Sequence, residues 1–220
     1  MIESIVKIWA KYDYMFLNGL WGTLWLAFVT VLFGTILGTL VALLRLSRCK
    51  VFQALTGAYI EVLRGTPILL QLYFFWLLLP KVLPFKVSDT ACIIVALVIN
   101  SSSYVAEVIR AGIQAVDKGQ MEAAKSLGLS NKNAMRYVIL PQAVKNILPA
   151  LGNEFVVMVK ETSLASVFFV GELMTSYKTV QSTTFLAIPS LTIVGIIYFI
   201  LNFILTKILK VVERRLQASD

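Results

Sequence analysis

The chain has 220 residues, 58% of them hydrophobic and 15% charged, which is too apolar for a soluble domain of ordinary composition. The net charge of +8 lies between the apolar stretches and not in one stripe with interleaved aromatics, which argues against nucleic acid as a partner. Histidine is absent, removing the commonest general base and a frequent metal ligand, and Cys49 and Cys92 lack metal-type spacing and are expected as small buried hydrophobes.

Apolar stretches of about 20 residues, the length that crosses a hydrocarbon core in lipid, recur along the chain. Residues 1–18 carry Glu3, Lys7, Lys11 and Asp13 and lack a short apolar core followed by a small-residue cleavage site, so they do not read as a removed signal peptide. A first span is expected over about 20–44, closed by Arg45 and Arg48, with a G-x-x-x-G step at Gly34 and Gly38 suited to close packing within the subunit. A second, over about 54–79, ends at Pro80 and Pro84. Glu61 and Arg64 stand at i, i+3 in it and can pair on one face, and Gly65-Thr66-Pro67 permits a bend because Pro67 has no amide donor. These residues read either as a hinge or as a structural pair. Gln71 interrupts the same span.

The third span, about 90–113, carries Asn100, Ser101, Ser102 and Ser103, then continues as an amphipathic helix through Val105, Val108, Ile109, Gly112, Ile113 and Val116. The polar run reads either as part of a hydrated route or as interhelical hydrogen bonding. A fourth span is expected over about 147–170 and a fifth over about 185–209, followed by a tail over 216–220. The chain is thus an all-α polytopic membrane domain (residues 19–215) of five transmembrane helices, surrounded by lipid.

Positive charge sets its orientation. Arg45, Arg48, Lys50, Arg64, Arg110, Lys118, Lys125, Lys132, Arg136, Lys145, Lys207, Lys210, Arg214 and Arg215 fall on one side, against Lys7, Lys11, Lys81, Lys86 and Lys178 on the other. The richer side is cytoplasmic, which places the N-terminus outside and residues 117–140 in the cytoplasm of a prokaryotic inner or plasma membrane protein. That loop reads as a helix over about 120–127, a stop at Gly128 in a left-handed cap, and a second helix from Ser130 as N-cap to about Leu140, before Pro141. Such a hairpin is expected to expose Met121, Leu127, Leu129 and Met135 to a partner's groove; the alternative is a solvated hairpin resting on its own spans.

Glu122-Ala123-Ala124, Gly128 and Val138-Ile139-Leu140-Pro141 resemble the EAA motif of importer permeases of the ATP-binding-cassette superfamily, with Val138 where the motif has isoleucine. Tyr59 through Gln71, Glu107 to Gly112, and Leu140-Pro141-Gln142-Ala143 through Lys160-Glu161-Thr162-Ser163-Leu164-Ala165 are similar to the polar-amino-acid branch, and the likeness runs from about Gly19 to Arg215. The resemblance implies a type I importer permease fold. It implies that the hairpin forms coupling helices docking into a cytoplasmic ATPase subunit, with Glu122, Ala123, Ala124, Gly128, Leu129, Leu140 and Pro141 at the contact. It implies a second permease subunit, identical or paralogous, and an external receptor that delivers the amino acid.

No G-x-x-x-x-G-K-[ST] loop occurs, so no cofactor is expected on this chain, and ATP with magnesium would be bound by the partner. Charged side chains inside a bilayer are costly and mark functional positions. Glu154, Lys160 and Glu161 fall in the fourth span with Asn153 and Ser163, and with Gln71 they are the candidates for a substrate path. Glu154 and Glu161 are i, i+7 and share a stripe, while Lys160 points about 100° away from Glu161. Pairing of Lys160 with a neighbouring carboxylate for assembly is the alternative. A secondary transporter or channel that uses Glu154, Lys160 and Glu161 to couple to an ion gradient is the alternative function.

Overall fold

The computed structural model describes residues 1–217; the rest of the tail anticipated over 216–220 lies outside the described residues. α1 (Ile2–Arg45) is one helix of 44 residues, about 66 Å long at 1.5 Å per residue. It begins at Ile2, well before the expected span, because Ile5, Ile8, Tyr12, Met15 and Phe16 recur on one face and pack against Leu173, Val180, Ile193 and Val194. Tertiary burial on this face orders the first segment.

α2 (Lys50–Gly65) and α3 (Ile68–Val82) together form one bent unit, turning by 110° at the break between them. α3 carries Pro80 inside it and ends only at Val82. Cys49, the residue before α2, is exposed, contrary to expectation, and Cys92 is buried. α4 (Asp89–Gln114) starts where the Ser88 hydroxyl accepts from the Ala91 amide at 3.2 Å, a side-chain N-cap. α5 (Lys118–Ser126) and α6 (Asn131–Ala134) form the hairpin. A π-helical turn (Met135–Ile139) then runs directly into α7 (Leu140–Glu161), followed by a 3-10 segment (Thr162–Phe168), α8 (Leu173–Thr184) and α9 (Ala187–Gln217).

Among the described residues, three helices, α1, α4 and α9, are long and apolar enough to cross a membrane, and the bent α2–α3 pair makes up to four. α7, which overlaps the expected fourth span, falls short, since Asn153, Glu154, Lys160 and Glu161 lie in it. Its register also differs from the expected 147–170: the α-helix begins at Leu140 and gives way to the 3-10 segment at Thr162.

α4 lies along α1. A Cβ on Gly34 would stand 2.8 Å from Ser101 Oγ, and one on Gly38 2.7 Å from the Ser102 carbonyl oxygen, so the G-x-x-x-G step seats α4 inside this subunit. The central core joins Leu26 and Ala27, Leu72, Ile93 and Leu97, and Met158 and Val159, with Phe168 closing it. The outer surfaces of α1 and α9 expose Phe28, Ile36, Phe199 and Phe203, an apolar belt that lipid or another apolar partner has to cover.

Candidate functional site

α3, α4 and α7 enclose a cavity of about 280 Å³ lined by Thr66, Pro67, Ile68, Asn100, Tyr104, Glu154, Val157, Met158 and Glu161. Glu154 is 8% exposed, and its carboxylate accepts one hydrogen bond, from Ser101 Oγ at 3.2 Å. Glu161 lines the same cavity and has no side-chain hydrogen bond or ion pair among the described residues. The i, i+7 spacing thus brings two carboxylates to one face of α7, separated along the axis by about 10.5 Å, and no cationic side chain lines the cavity with them.

Lys160 is turned elsewhere. It is exposed, lacks an ion-pair partner among the described residues, and lines a second cavity of about 430 Å³ with Ser163, Leu164, Ser166, Val167, Met174 and Tyr198. The assembly pair considered for Lys160 therefore does not form within the subunit. Asn153 is exposed and outside the lining of the carboxylate cavity.

Gln71, expected on a path, lines a separate cavity of about 650 Å³ between α2, α3 and α4, and its buried amide is bonded to the backbone. Pro67 has no amide proton, so the Leu63 carbonyl four residues earlier loses its helical donor. Gln71 Nε2 supplies one at 2.7 Å and also reaches Thr66 O at 3.2 Å and Thr66 Oγ1 at 2.9 Å. Asn100 Nδ2 in turn donates to Gln71 Oε1 at 2.9 Å. These two amides splint the break and hold it against α4. The serine run is likewise consumed: Ser102 Oγ donates to the Ile99 carbonyl at 2.7 Å and shares a 2.6 Å bond with Tyr59 Oη, and Ser103 Oγ donates to the Asn100 carbonyl at 2.7 Å.

The Glu61–Arg64 pair anticipated from i, i+3 spacing does not form. Arg64 Nη1 stands 3.9 Å from Glu107 Oε2, and its guanidinium lies 5.2 Å from the centroid of the Tyr104 ring. A charged and an aromatic partner on α4 outcompete one weak pair along α2.

At the opposite end from the α8 packing, the hairpin is built as its sequence directs. Asp117 Oδ1 accepts from the Gly119 amide at 2.7 Å and Ser130 Oγ from the Asn133 amide at 3.3 Å. Gly128 takes φ +83°, with its amide on the Lys125 carbonyl at 2.9 Å and that of Leu129 on the Ala124 carbonyl at 3.1 Å, a Schellman cap. Glu122, Ala123, Leu140 and Pro141 are exposed, Ala124 is buried, and Leu129 is half-buried. Of the four apolar residues expected to be exposed, Leu127 is 83% exposed, while Met121, Leu129 and Met135 are half-buried.

The second hairpin helix does not stop before Pro141. The Leu140 amide bonds the Met135 carbonyl, an i to i−5 step, and Pro141 falls in the first turn of α7, where the missing amide costs little. The hairpin is therefore continuous with the helix that carries Glu154 and Glu161. Gln142 Nε2 adds a 3.3 Å bond to Gln120 Oε1, and Gly112 of α4 sits against Ile147 of α7.

Two polar positions carry more than the sequence reading gave them. Glu107 bridges Arg64 and Arg110, and only its long-range partner distinguishes it from a surface i, i+3 pair. Glu172, with no exposure, caps α8 by accepting from the Met174 amide at 2.7 Å and the Thr175 amide at 2.6 Å, and accepts from Tyr198 Oη at 3.2 Å. Its spacing ahead of α8 was the available signal.

A family model described as "Binding-protein-dependent transport system inner membrane component" matches residues 34–218. The arginine transport system permease protein ArtQ of Bacillus subtilis (strain 168) is 41% identical over 204 residues, 93% of each chain. The glutamine transport system permease protein GlnP of Escherichia coli (strain K12) is 34% identical, covering 89% of this chain and 90% of that protein. A structure titled as an amino acid ABC transporter with histidines superposes with a TM-score of 0.90 at 45% identity, over 94% of this chain and 96% of the other. An inward-facing methionine ABC transporter, MetNI, shares the fold with a TM-score of 0.70 at 20% identity, over 91% and 97%. The chain belongs to the inner membrane components of binding-protein-dependent transport systems.

Proposed function

We propose that this permease subunit of an amino-acid importer passes polar amino acids along a path that includes the α3–α4–α7 cavity, with Glu154 and Glu161 receiving the substrate's ammonium group. The observation that carries this reading is the pair of carboxylates facing one cavity that no cationic side chain lines among the described residues. Such a space attracts a compact cation and favours hydrogen bonds from an ammonium, which are stronger than neutral ones. Its volume of about 280 Å³ lies just under the range of about 300–1,000 Å³ usual for drug-sized ligands, which suits one amino acid. Lys160 and Ser163, which line the other cavity, supply donors for a carboxylate elsewhere along the route.

The energy comes from a separate ATPase subunit that binds ATP and magnesium. The hairpin around Glu122, Ala123, Ala124, Gly128, Leu129, Leu140 and Pro141 docks onto it, and movement passes through the π-helical turn into α7. Five crossings, α1, the α2–α3 unit, α4, α7 and α9, place the N-terminus outside and the basic ends of α1 and α9 in the cytoplasm. A second permease subunit completes the path, and an external receptor delivers substrate to the face bearing α8.

Competition in proteoliposomes containing the permease, its ATPase and its external receptor, with each competitor's binding to the isolated receptor measured alongside and allowed for, tests the cavity assignment. An unlabelled amino acid should suppress uptake of a labelled one, while its analogue lacking the α-ammonium should compete at least about tenfold more weakly, the scale of one lost charge-assisted bond. Equal competition would remove the carboxylate pair from substrate recognition.

A further inference from the structure

Arg64 occupies the last turn of α2, directly before the 110° break, and is tied to α4 twice, through the Tyr104 ring at 5.2 Å and Glu107 Oε2 at 3.9 Å. Glu107 also accepts from Arg110 Nε at 3.1 Å and Nη2 at 2.8 Å. Arg110 Nη1 then donates to Gln114 Oε1 at 2.7 Å, and Gln114 is the final residue of α4, three residues before the Asp117 cap of α5. At the other end of this series, Tyr104 and Thr66 line the Glu154 cavity. Side-chain contacts thus run from the cavity wall to the root of the hairpin, and Arg64 is the point where they cross from α4 to the broken helix.

The side chains of Arg64, Arg110 and Glu107 are 45%, 33% and 21% exposed. An ion pair this accessible stabilises a fold little, and Glu107 keeps a closer partner in Arg110 when Arg64 leaves. The contact can therefore open without stranding a buried charge. Sequence places it on the basic side of the membrane, between the cavity and the cytoplasmic hairpin.

We infer that Arg64, Tyr104 and Glu107 form a latch at the cytoplasmic end of the path. Closed, it holds the α2–α3 bend against α4 beside the cavity; displacement of the end of α4 by the hairpin releases it. Arg64 and Glu107 are positioning residues that set how closely ATP hydrolysis is tied to substrate transfer. This inference rests on the reading of the Glu154 cavity as the path.

The test is a double-mutant cycle on the permease reconstituted with its ATPase and external receptor: Arg64→Gln, Glu107→Gln and both together, with ATP hydrolysed per substrate taken up as the readout. Each single variant should raise that ratio about threefold, the scale set by one half-exposed pair. The double variant should raise it no further, and KM for substrate should stay unchanged throughout. Additive effects, or an unchanged ratio in variants that still assemble with the ATPase, would overturn the latch. A raised KM at constant ratio would also overturn it, by making Arg64 part of the substrate site. A non-additive cycle alongside full uptake by Glu154→Gln would keep the latch and reject the cavity as the path.

Discussion

Replacing Gly128 with valine is expected to separate ATP hydrolysis from uptake while leaving the permease in the membrane. Gly128 holds φ +83°, and a Cβ there would meet nothing within 4 Å. The substitution therefore acts through the backbone alone. A left-handed conformation costs an ordinary L-residue about 1–2 kcal/mol, more for a β-branched one, which shifts the population of the capped hairpin by roughly 5- to 30-fold. Loss of the cap frees the Leu129 amide from the Ala124 carbonyl and misdirects α5 relative to α6. Uptake should fall about tenfold or more while the amount of subunit in the membrane holds. Gly128→Asn, which tolerates this conformation, should retain most uptake. Equal loss with both residues would point to side-chain crowding at a docking surface and not to hairpin geometry.

Glu154→Gln is the second substitution with a large expected effect. Glutamine keeps an oxygen that can accept from Ser101 Oγ, so α4 and α7 stay joined, but the negative charge leaves the cavity. Losing a charge-assisted bond of about 1.5–3 kcal/mol corresponds to a rise in KM of roughly 10- to 100-fold. Uptake measured across several amino acids should weaken for all that carry an ammonium group, while substrate-free ATP hydrolysis stays near its original rate. If Glu154 serves assembly alone, the glutamine variant transports normally, because the Ser101 contact survives.

Much of this architecture can be read from local chemistry. Gly128 stops a helix because the residues around it form a cap within six positions, and the Gly65-Pro67 break follows from one missing amide. The seating of α4 on Gly34 and Gly38 follows from their four-residue spacing. The i, i+7 stripe of Glu154 and Glu161 needs only helical periodicity. What local chemistry could not supply was the choice among distant partners. Arg64 faces Glu61 by spacing but binds Glu107 and Tyr104 across the fold. Gln71 lines a cavity as its polarity suggests, but its amide is also spent on the Leu63 carbonyl that Pro67 leaves without a donor, which spacing alone does not show.

Helix limits differ from the expected spans for a related reason. Hydropathy places the start of the first span where charge ends, yet residues 2–18 are ordered by Phe16 and Ile8 against α8 and α9. Proline was expected to end the hairpin's second helix, but a π-helical turn sets Pro141 in the first turn of α7. That continuity bears on the proposed mechanism: the hairpin leads through the π-helical turn into the helix that bears Glu154 and Glu161 and has Pro149 inside it, the route by which displacement at the hairpin would reach the cavity.

The central claim, that a separate ATPase drives this path, is most directly tested by uptake into proteoliposomes holding the permease with its ATPase and external receptor. With ATP inside and all ion gradients collapsed by ionophores, labelled amino acid should accumulate, and vesicles holding the permease alone should accumulate none under an imposed ion gradient. Gradient-driven accumulation by the permease alone, insensitive to ATP, would contradict the account.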